Sequence, residues 1–491
     1  MLYTAALIVV ALTMTGTAHA TPRSTVSGPG EPVSLDAAMP LRWSFALRTP
    51  PPASRIDTAP ASTWAELLQA ASQAAPNRAA DAQAQAADAL HSQAWATAWM
   101  PRLDASASSS RQQQTYNGLD SHTPASVTSL TASLPLWRAA DRANAHAQAA
   151  LAEQAWWQAR GQRVALAREL SLAYVAAAQA AEGQRLTQAQ LDLLQAQQAI
   201  NEKRLRAGVG TVLEQLETRT RMDQARARLR EFGMRARTQQ LLLERLCGQP
   251  VRIPAGLSVH DATELDPASQ ALPSQDEALQ QAGQRNPLWR DTHAEVDAAQ
   301  ATTRARDAEY WQPTLDASAS TTRARQTQRF EGLSESQDVR TQAIGVQLNW
   351  PLFTGGYQQA RTREAAALLI RSQARQDDTE AQVRQGLLDA YQSLEQAQAQ
   401  SADQREIELT AMATYEALHK AFLAGTRTNL DLLDAQQQIY TARQNLVAAR
   451  ASALNARIQI LALLDWLDAA HVAPLSAQFA QDALPSPAST P

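Results

Sequence analysis

Two carboxylates beside one turn are the side chains best placed to act chemically. Asp431 and Asp434 lie in the segment FLAGTRTNLDLLDAQ, which covers residues 422–436. Because they are three residues apart, both carboxylates would share one face of a helix that begins here. Acidic residues near a helix N-terminus also stabilise the helix macrodipole. The residues alone leave a structural role and a functional role equally open.

No catalytic, cofactor-binding or metal-binding motif accompanies these acids. The eight histidines are scattered, and none forms an H-E-x-x-H pair. Gly208 and Gly210 do not form a dinucleotide-binding loop, since no strand precedes them. The net charge of −4 and the lack of a basic stripe interleaved with aromatic residues argue against a nucleic-acid partner. We therefore expect no enzyme activity, no cofactor and no metal site.

The turn separates two long stretches with helical periodicity. Apolar residues recur three and four positions apart on both sides and form a heptad seam diluted by glutamine. Gly425 can end the first helix in a left-handed conformation, and Thr426 or Thr428 can cap the second helix. The segment therefore predicts the tight tip of a long antiparallel helical hairpin. The seam residues are Ala411, Tyr415, Leu418 and Phe422 before the turn and Leu430, Leu433, Gln437, Tyr440, Gln444, Val447, Ala451, Leu454, Ile458 and Leu461 after it.

A second tip of the same kind occurs in the first half of the chain, within LRAGVGTVLEQLE at 205–217. Gly208 matches Gly425, and Glu214 and Glu217 match the two aspartates. This internal repeat argues for one body that is built twice.

Each copy also contains two segments with the alternation of a β-strand. PRLDASAS at 101–108 and PTLDASAS at 313–320 are nearly identical and alternate small apolar with hydroxyl residues. A polar loop is predicted next in each copy, at 111–124 and 323–338, followed by a second strand. The apolar face of this second strand carries Leu130, Ala132, Leu134 and Leu136 in the first copy and Ile344, Val346, Leu348 and Trp350 in the second.

Such alternation is typical of a transmembrane barrel strand, and also of a half-buried strand in a soluble sheet. Its repeated placement beside long helices, behind a predicted signal peptide, favours the membrane. Four strands cannot close into a barrel, and lipid does not tolerate an open edge, so subunits must share the barrel. Sequence alone permits any multiple of four strands. Aromatic residues fall at the strand ends, where a membrane protein has its aromatic girdle: Trp99, Trp137, Trp311, Trp350 and Phe353.

The predicted helices are unusually long. Those at 139–207 and 358–424 would each extend about 100 Å at 1.5 Å per residue, which predicts a tube that crosses the periplasm rather than a simple pore. The other predicted helices cover 64–100 and 277–312, interrupted at Pro76 and Pro287, and the returning arms 212–246 and 430–467.

The chain is predicted to begin with a signal peptide at 1–20, with an A-x-A cleavage site that ends at Ala20 and an n-region without Lys or Arg. No other stretch approaches the 18 or so apolar residues that a membrane-spanning helix needs, so we expect no such helix.

The single cysteine, Cys247, excludes an intrachain disulfide and is expected to be a semi-buried thiol. The remaining predicted divisions are a Pro-rich segment (21–60), a first repeat (61–250), a linker (251–275), a second repeat (276–467) and a flexible tail (468–491).

Around the two tips the sequence resembles the TolC family of outer-membrane channel-tunnels, and the resemblance covers residues 62–466. The form Gly-Thr-Arg-Thr-x-x-Asp-x-Leu-Asp-Ala-Gln at 425–436 is similar to the members that serve type I secretion by ABC transporters. Thr21 follows the predicted cleavage site, so the acylated N-terminal cysteine of the family's lipoprotein branch is absent.

The resemblance implies roles for the tip residues. Asp431 and Asp434 match two acidic rings that constrict the periplasmic entrance of the channel. Six carboxylates of a trimer would favour cations there, and their crowding would raise the carboxyl pKa.

The resemblance also implies a latch and a docking groove. Arg427, Glu214 and Phe422 match positions that hold the entrance shut between neighbouring hairpins, with Glu in place of Asp and Phe in place of Tyr. Outside the resemblance, the charged pair is an exposed ion pair worth about 0–1 kcal/mol. The positions that match the groove for a periplasmic adaptor are Gly208, Gly425 and Thr426.

Together the residues and the resemblance predict a mixed membrane α+β fold. We expect a homotrimeric channel-tunnel with a shared 12-stranded transmembrane β-barrel, four strands per chain, and a long periplasmic α-helical barrel of coiled-coil hairpins. We expect it in the outer membrane, extending into the periplasm.

The expected function is that of the exit duct of a type I secretion system. The partners would be a periplasmic adaptor (membrane fusion protein), an inner-membrane ABC transporter, outer-membrane lipid and an unfolded protein cargo such as a haemolysin-type repeat toxin. One alternative is the same duct serving a proton-driven drug or metal efflux pump. Another is a periplasmic coiled-coil scaffold or adaptor, against which the strands and the signal peptide argue.

Overall fold

We describe the fold from a computed structural model of the chain. The structure describes residues 62–116, 119–208, 210–254, 256–257, 272–330, 333–424, 426–476 and 479–480. All of them belong to one compact unit, Ala59–Pro491. The predicted signal peptide and the Pro-rich segment lie outside the described residues, as does Gly425.

The same order of elements occurs twice: two helices, a β-hairpin and a long helical hairpin. The first half contains α1 (Trp64–Ser72), α2 (Ala75–Trp99), β1 (Arg102–Tyr116), β2 (Leu119–Arg138), α3 (Ala139–Arg206) and α4 (Val212–Cys247). The short strand β3 (Gly256–Leu257) follows. The second half contains α5 (Gln275–Arg285), α6 (Pro287–Trp311), β4 (Thr314–Phe330), β5 (Leu333–Asn349), α7 (Tyr357–Leu423) and α8 (Asn429–Leu463), and then α9 (Ala469–Ser476) and β6 (Phe479–Ala480).

Proline and glycine residues set where several of the helices begin and end. α3 and α7 contain 68 and 67 residues, about 100 Å each at 1.5 Å per residue. Pro76 and Pro287 lie in the first turns of α2 and α6, where no amide hydrogen is needed. Each proline is therefore a helix start, as the sequence interruptions predicted. Gly248 ends α4 in the left-handed conformation, with a φ of 70°.

The four long strands form one antiparallel sheet in the order β1-β2-β4-β5. Opposed residues of an antiparallel pair share a face, so the register identifies the faces. Ala132 lies opposite Leu103 and Ala319, and Ala319 lies opposite Ile344. Rows of this kind give the sheet one apolar face, while the alternate rows are rich in serine and threonine. The alternation expected from the sequence is therefore confirmed.

The strands are longer than the sequence predicted. Residues 111–124 and 323–338, expected as polar loops, mostly continue the hairpins. β1 runs to Tyr116 before β2 starts at Leu119, and β4 likewise runs on to Phe330. The prediction of loops was wrong because ladder hydrogen bonds join backbone groups, which polar residues supply as well as apolar ones.

A bulge interrupts β2 near its end. Leu136 is left out of the register between Pro135 and Trp137, and Trp137 lies opposite Leu315. Leu315 belongs to an apolar row, opposite Leu348. The bulge therefore turns Trp137 toward the apolar face. The expectation that Leu136 continues the apolar alternation was wrong.

The largest apolar core lies where α1, parts of α3, α4 and α8 and the last described residues meet. Trp64 stacks on Tyr174 with ring centroids 5.9 Å apart, and Phe479 meets both rings edge-on. The Trp64 indole N–H donates to Ser171 Oγ at 3.0 Å. Cys247 is buried in this core, and burial raises the pKa of its thiol to about 11. Cys247 is therefore an unreactive thiol that is more deeply buried than the sequence predicted.

Residues 469–476 and 479–480 belong to this core and not to a flexible tail. α9 buries Val472 and Leu475, and β6 pairs Phe479 with Leu257 of β3. The prediction of a loose tail was wrong for these residues. The segment is rich in Ala and Ser overall, but its few large apolar side chains pack into the core. Residues 481–491 lie outside the described part of the chain.

One described helix, α8, is long and apolar enough to cross a membrane by length and composition, contrary to the sequence expectation. Its most apolar window is 56% buried against the rest of the protein. Val447, Leu454 and Ile458 of this helix pack in the apolar core. Helix packing therefore accounts for its composition.

Leu475→Ala is expected to lower the thermal unfolding midpoint of the detergent-solubilised protein. Leu475 is 1% exposed, so truncation removes buried methyl groups and leaves a cavity, at a cost of roughly 2–5 kcal/mol. Circular dichroism at increasing temperature measures the shift. Leu409→Ala, at a leucine that is 57% exposed on α7, is the control and should change the midpoint little. Equal shifts would show that α9 does not support the core.

Candidate functional site at the helical hairpin tips

The first tip depends on two glycines. Gly208 has a φ of +75° and donates its N–H to Leu205 O at 3.0 Å. Gly210 approaches the end of α3 so closely that a Cβ would lie 2.9 Å from the Leu205 nitrogen. Glycine is thus required at Gly208 for its conformation and at Gly210 for close approach, and sequence reasoning missed the second. Thr211 then caps α4 in a capping box with Glu214.

The second tip is capped by Thr428, one of the two residues proposed from sequence. Asp431 N–H donates to Thr428 Oγ1 at 3.3 Å, and Thr428 N–H donates to Asp431 Oδ2 at 3.0 Å. Thr426 instead donates its N–H and its hydroxyl to Ala421 O, each at 3.0 Å, and so closes the end of α7. The conformation of Gly425 stays a prediction.

These contacts decide how Asp431 titrates within one chain. Hydrogen bonds from Thr428, with a smaller effect of the Arg427 charge, hold the pKa of Asp431 below its usual value. The crowding expected in a ring of several chains acts in the opposite direction. Because the folded pKa is lowered, the stabilising contribution is present at neutral pH. It is lost only as the pH falls from about 3.9 through the lower folded value.

Asp434 forms an ion pair that the sequence did not predict. Arg221 of α4 donates from Nη2 to Asp434 Oδ1 at 2.5 Å. The pair joins the returning arms of the two hairpins, and the side chains are 29% and 52% exposed. Because the Asp434 side chain is half-exposed, Arg221 compensates its charge only in part within the chain. Among the described residues, no group of three or more His, Cys, Asp or Glu side chains could hold a metal ion.

Within the described part of one chain, the predicted latch residues do not bond to one another. Glu214 accepts the backbone N–H of its own helix cap. Arg427 is exposed, and its charge acts on Asp431. Phe422 lies under Arg204 of α3, whose guanidinium carbon is 5.1 Å from the ring centroid. A cation–π contact between the hairpins therefore involves Phe422, and sequence reasoning missed Arg204.

Buried amides join the two hairpins close to the tips. Asn201 donates to Thr218 Oγ1 at 2.9 Å across the first hairpin. Gln197 donates to Asn201 Oδ1 at 3.2 Å and to Asn429 Oδ1 at 3.1 Å, which links the first hairpin to the second. Asn201, Thr218 and Asn429 are at most 2% exposed. Buried polar groups of this kind fix the register of packed helices. In the sequence, only the glutamines of the heptad seam indicated polar contacts between the helices.

Comparison with known proteins places this geometry in a family. The profile of the outer membrane efflux protein family matches residues 67–249 and 278–465. The alkaline protease secretion protein AprF of Pseudomonas aeruginosa is 28% identical over 318 residues, which cover 62% of this chain and 63% of AprF. The proteases secretion protein PrtF of Dickeya chrysanthemi is 27% identical over 310 residues, 60% of this chain and 63% of PrtF. The matches thus span less than two thirds of these curated relatives.

The fold is shared with a solved protein that forms a transmembrane channel. CusC superposes with a TM-score of 0.72 at 19% identity, over 82% of this chain and 92% of CusC. Paired strands beside long helical hairpins, with this likeness, give the chain the fold of the channel-tunnel class. The chain belongs to the outer membrane efflux protein family, as a TolC-like outer membrane factor close to the type I secretion branch. It is therefore an outer-membrane protein with a helical tunnel in the periplasm, and not a free scaffold or an adaptor.

The Arg221–Asp434 pair can be measured by a double-mutant cycle with Arg221→Ala and Asp434→Asn. We expect a coupling free energy of about 0.2–1 kcal/mol that shrinks as salt is added, because both side chains are partly exposed. Thermal unfolding of the four proteins in detergent gives the value.

The matched control is Arg226→Ala, since Arg226 pairs with Asp223 on its own helix at 2.9 Å. Its coupling to Asp434 should be zero. A zero coupling for Arg221 as well would show that this ion pair does not hold the hairpins together.

Proposed function

We propose that this protein is the outer-membrane exit duct of a tripartite type I secretion system. The observation that carries the proposal is the similarity to AprF and PrtF, whose names assign them to protease secretion. The motif at 425–436 supports the same branch. Because the chain has no nucleotide-binding motif, an inner-membrane ABC transporter would supply the energy. The cargo would be an unfolded protein, such as a secreted protease or a haemolysin-type repeat toxin.

We propose that three chains share one barrel of twelve strands. β1 and β5 are the outer strands of the sheet, and in lipid their unpaired backbone groups need partners. Pairing β1 of one chain with β5 of the next satisfies both edges in a closed trimer. Ile344 and Val346 support this arrangement, since they are 91% and 65% exposed in one chain and would meet lipid. The long helices α3 and α7 would then line a periplasmic α-helical barrel.

The tips are proposed to meet the periplasmic adaptor. The residues proposed for this contact are Gly208, Gly425 and Thr426, and a helical hairpin of the adaptor could approach the tight turns at Gly208 and Thr426. Val212 and Leu213, beside the first tip, are 58% and 64% exposed and offer apolar surface for such a contact.

A second function is the outer-membrane channel of a proton-driven drug or metal efflux pump. The family's own description as efflux proteins favours it. The adaptor and the barrel would be used in the same way, and the transporter and the cargo would differ.

Deletion of the gene separates these two functions. We expect a specific protein to disappear from the culture medium and to return on complementation, while drug and metal susceptibility stay unchanged. Proteomics of the medium and growth inhibition assays measure the two outcomes. Unchanged secretion together with increased susceptibility would refute the secretion role in favour of efflux.

Asp431 and Asp434 are proposed to line the periplasmic entrance of the trimer as six carboxylates. Asp431→Ala combined with Asp434→Ala should weaken cation preference and abolish block by multivalent cations, because the charges that concentrate cations are removed. Arg427→Ala should instead raise conductance and keep selectivity, if Arg427 holds the entrance shut. Planar-bilayer recordings measure all three properties.

Asp223→Ala, at an exposed acid on α4, is the control and should leave selectivity unchanged. Crosslinking verifies that each variant is still a trimer. If the double variant keeps wild-type selectivity and block, Asp431 serves only to cap α8 and Asp434 only to pair with Arg221.

A further inference from the structure

We propose that Arg142, held between Trp99 and Trp137, binds the phosphate of a phospholipid in the periplasmic leaflet of the outer membrane. The guanidinium carbon lies 3.9 Å from the Trp99 ring centroid and 5.2 Å from that of Trp137. Contact with ring faces holds a cation in place without consuming its hydrogen-bond donors. The arginine is therefore positioned, and donors stay available for a ligand.

The bulge in β2 builds this site. Leu136, which the bulge leaves out of the ladder register, accepts a hydrogen bond from Arg142 Nη2 at 3.1 Å. The same bulge turns Trp137 to the apolar face of the sheet, where it lies opposite Leu315. One irregularity thus supplies both the acceptor and one of the two rings that orient Arg142.

The charge of Arg142 is uncompensated within the part of the chain that the structure describes. The nearby Arg138 donates to Asp316 at 2.7 Å and to Asp141 at 3.2 Å, which leaves those carboxylates engaged. Among the described residues Arg142 has no ion pair, and Nη2 is the only one of its nitrogens with a hydrogen bond, so Nη1 is left for a ligand, while Nε is buried without a partner. A positioned guanidinium with unused donors favours an anionic oxygen, and phosphate oxygens match its planar fork.

The location of the site points to a lipid. Trp99 is the last residue of α2, and Trp137 and Arg142 flank the junction of β2 with α3. The helices are periplasmic, so this junction faces the periplasmic leaflet if the sheet spans the membrane as proposed; the inference rests on that placement. Trp99 and Trp137 are 44% and 47% exposed, and such rings lie at the level of lipid headgroups. Because β2 is an inner strand between β1 and β4, one chain supplies every residue of the site.

The second half of the chain gives an internal comparison. Its equivalent segment, WPLFTGGYQ against LPLWRAADR, places Gln358 where the first half has Arg142. Gln358 donates to Glu309 O at 3.2 Å instead. No guanidinium lies over Trp311 or Phe353 in the described part of the chain. We therefore expect one phosphate site per chain, in the first half only.

The experiment titrates the delipidated full-length protein in nonionic detergent with dioleoylphosphatidylglycerol and counts bound lipid by native mass spectrometry. The wild type should bind one phospholipid tightly per chain. Arg142→Gln, which copies the second half, should bind it roughly tenfold more weakly, the loss of one charge-assisted hydrogen bond. Arg142→Lys should be intermediate, because it keeps the charge and loses the planar fork. Dioleoylglycerol, which has the same acyl chains and no phosphate, should not compete.

Arg363→Gln, at an exposed arginine on α7, is the matched control and should bind like the wild type. Equal lipid counts and affinities in the wild type and in Arg142→Gln would overturn the proposal and leave Arg142 as a brace of the junction. Competition by dioleoylglycerol would overturn it as well, since the acyl chains alone would then explain binding. Membrane fractionation and crosslinking of each variant report separately whether the sheet inserts, so a failure of the barrel proposal is recognised as such.

Discussion

Close approach between very long helices is the constraint on which the rest of the structure depends. Alanine is the commonest buried residue of α3 and α8, as at Ala177 and Ala449. Small side chains let helix backbones come close, so that many weak dispersion contacts add up along a seam. This packing explains how a chain with only 5% aromatic residues holds helices of this length together. Of the buried rings, Trp64, Tyr174 and Phe479 pack together where the hairpins meet the shorter elements.

The interface between the hairpins changes character along its length. In the main core it is apolar, with Leu170 and Ile458 fully buried. Toward the tips, amides and the Arg221–Asp434 pair take over, and only a small apolar cluster around Leu194 remains. A hydrogen bond between amides is replaced by water at little net cost, whereas apolar surface is not. We therefore expect the tips to separate at a lower free-energy cost than the far end of the hairpins.

The tips could be predicted because their capping residues are close together in the sequence. Contacts between residues that are distant in the sequence could not be predicted. The cap of α8 is formed by residues close in the chain, so the sequence alone limited the capping residue to Thr426 or Thr428, of which the structure shows Thr428. The Arg221–Asp434 pair joins residues 213 positions apart, and no local signal marks it. The bulge at Leu136 is equally invisible, because it exists only relative to β4. Composition was misleading in two places. The polar segments that were predicted as loops extend the strands, and a few apolar residues in the tail that was predicted to be flexible complete the core.

The contact of Phe479 with Trp64 has a consequence for how the protein is made. Each helical hairpin consists of contacts between segments close in the chain, so it can form early. The aromatic core instead joins opposite ends of the described chain, and such distant contacts form late, since loop-closure entropy must first be overcome. A polypeptide that ends before Phe479 would lack the ring that packs edge-on against Trp64 and Tyr174. Because incompletely packed apolar surface favours aggregation and degradation, we expect such a truncated chain to accumulate less than the complete one.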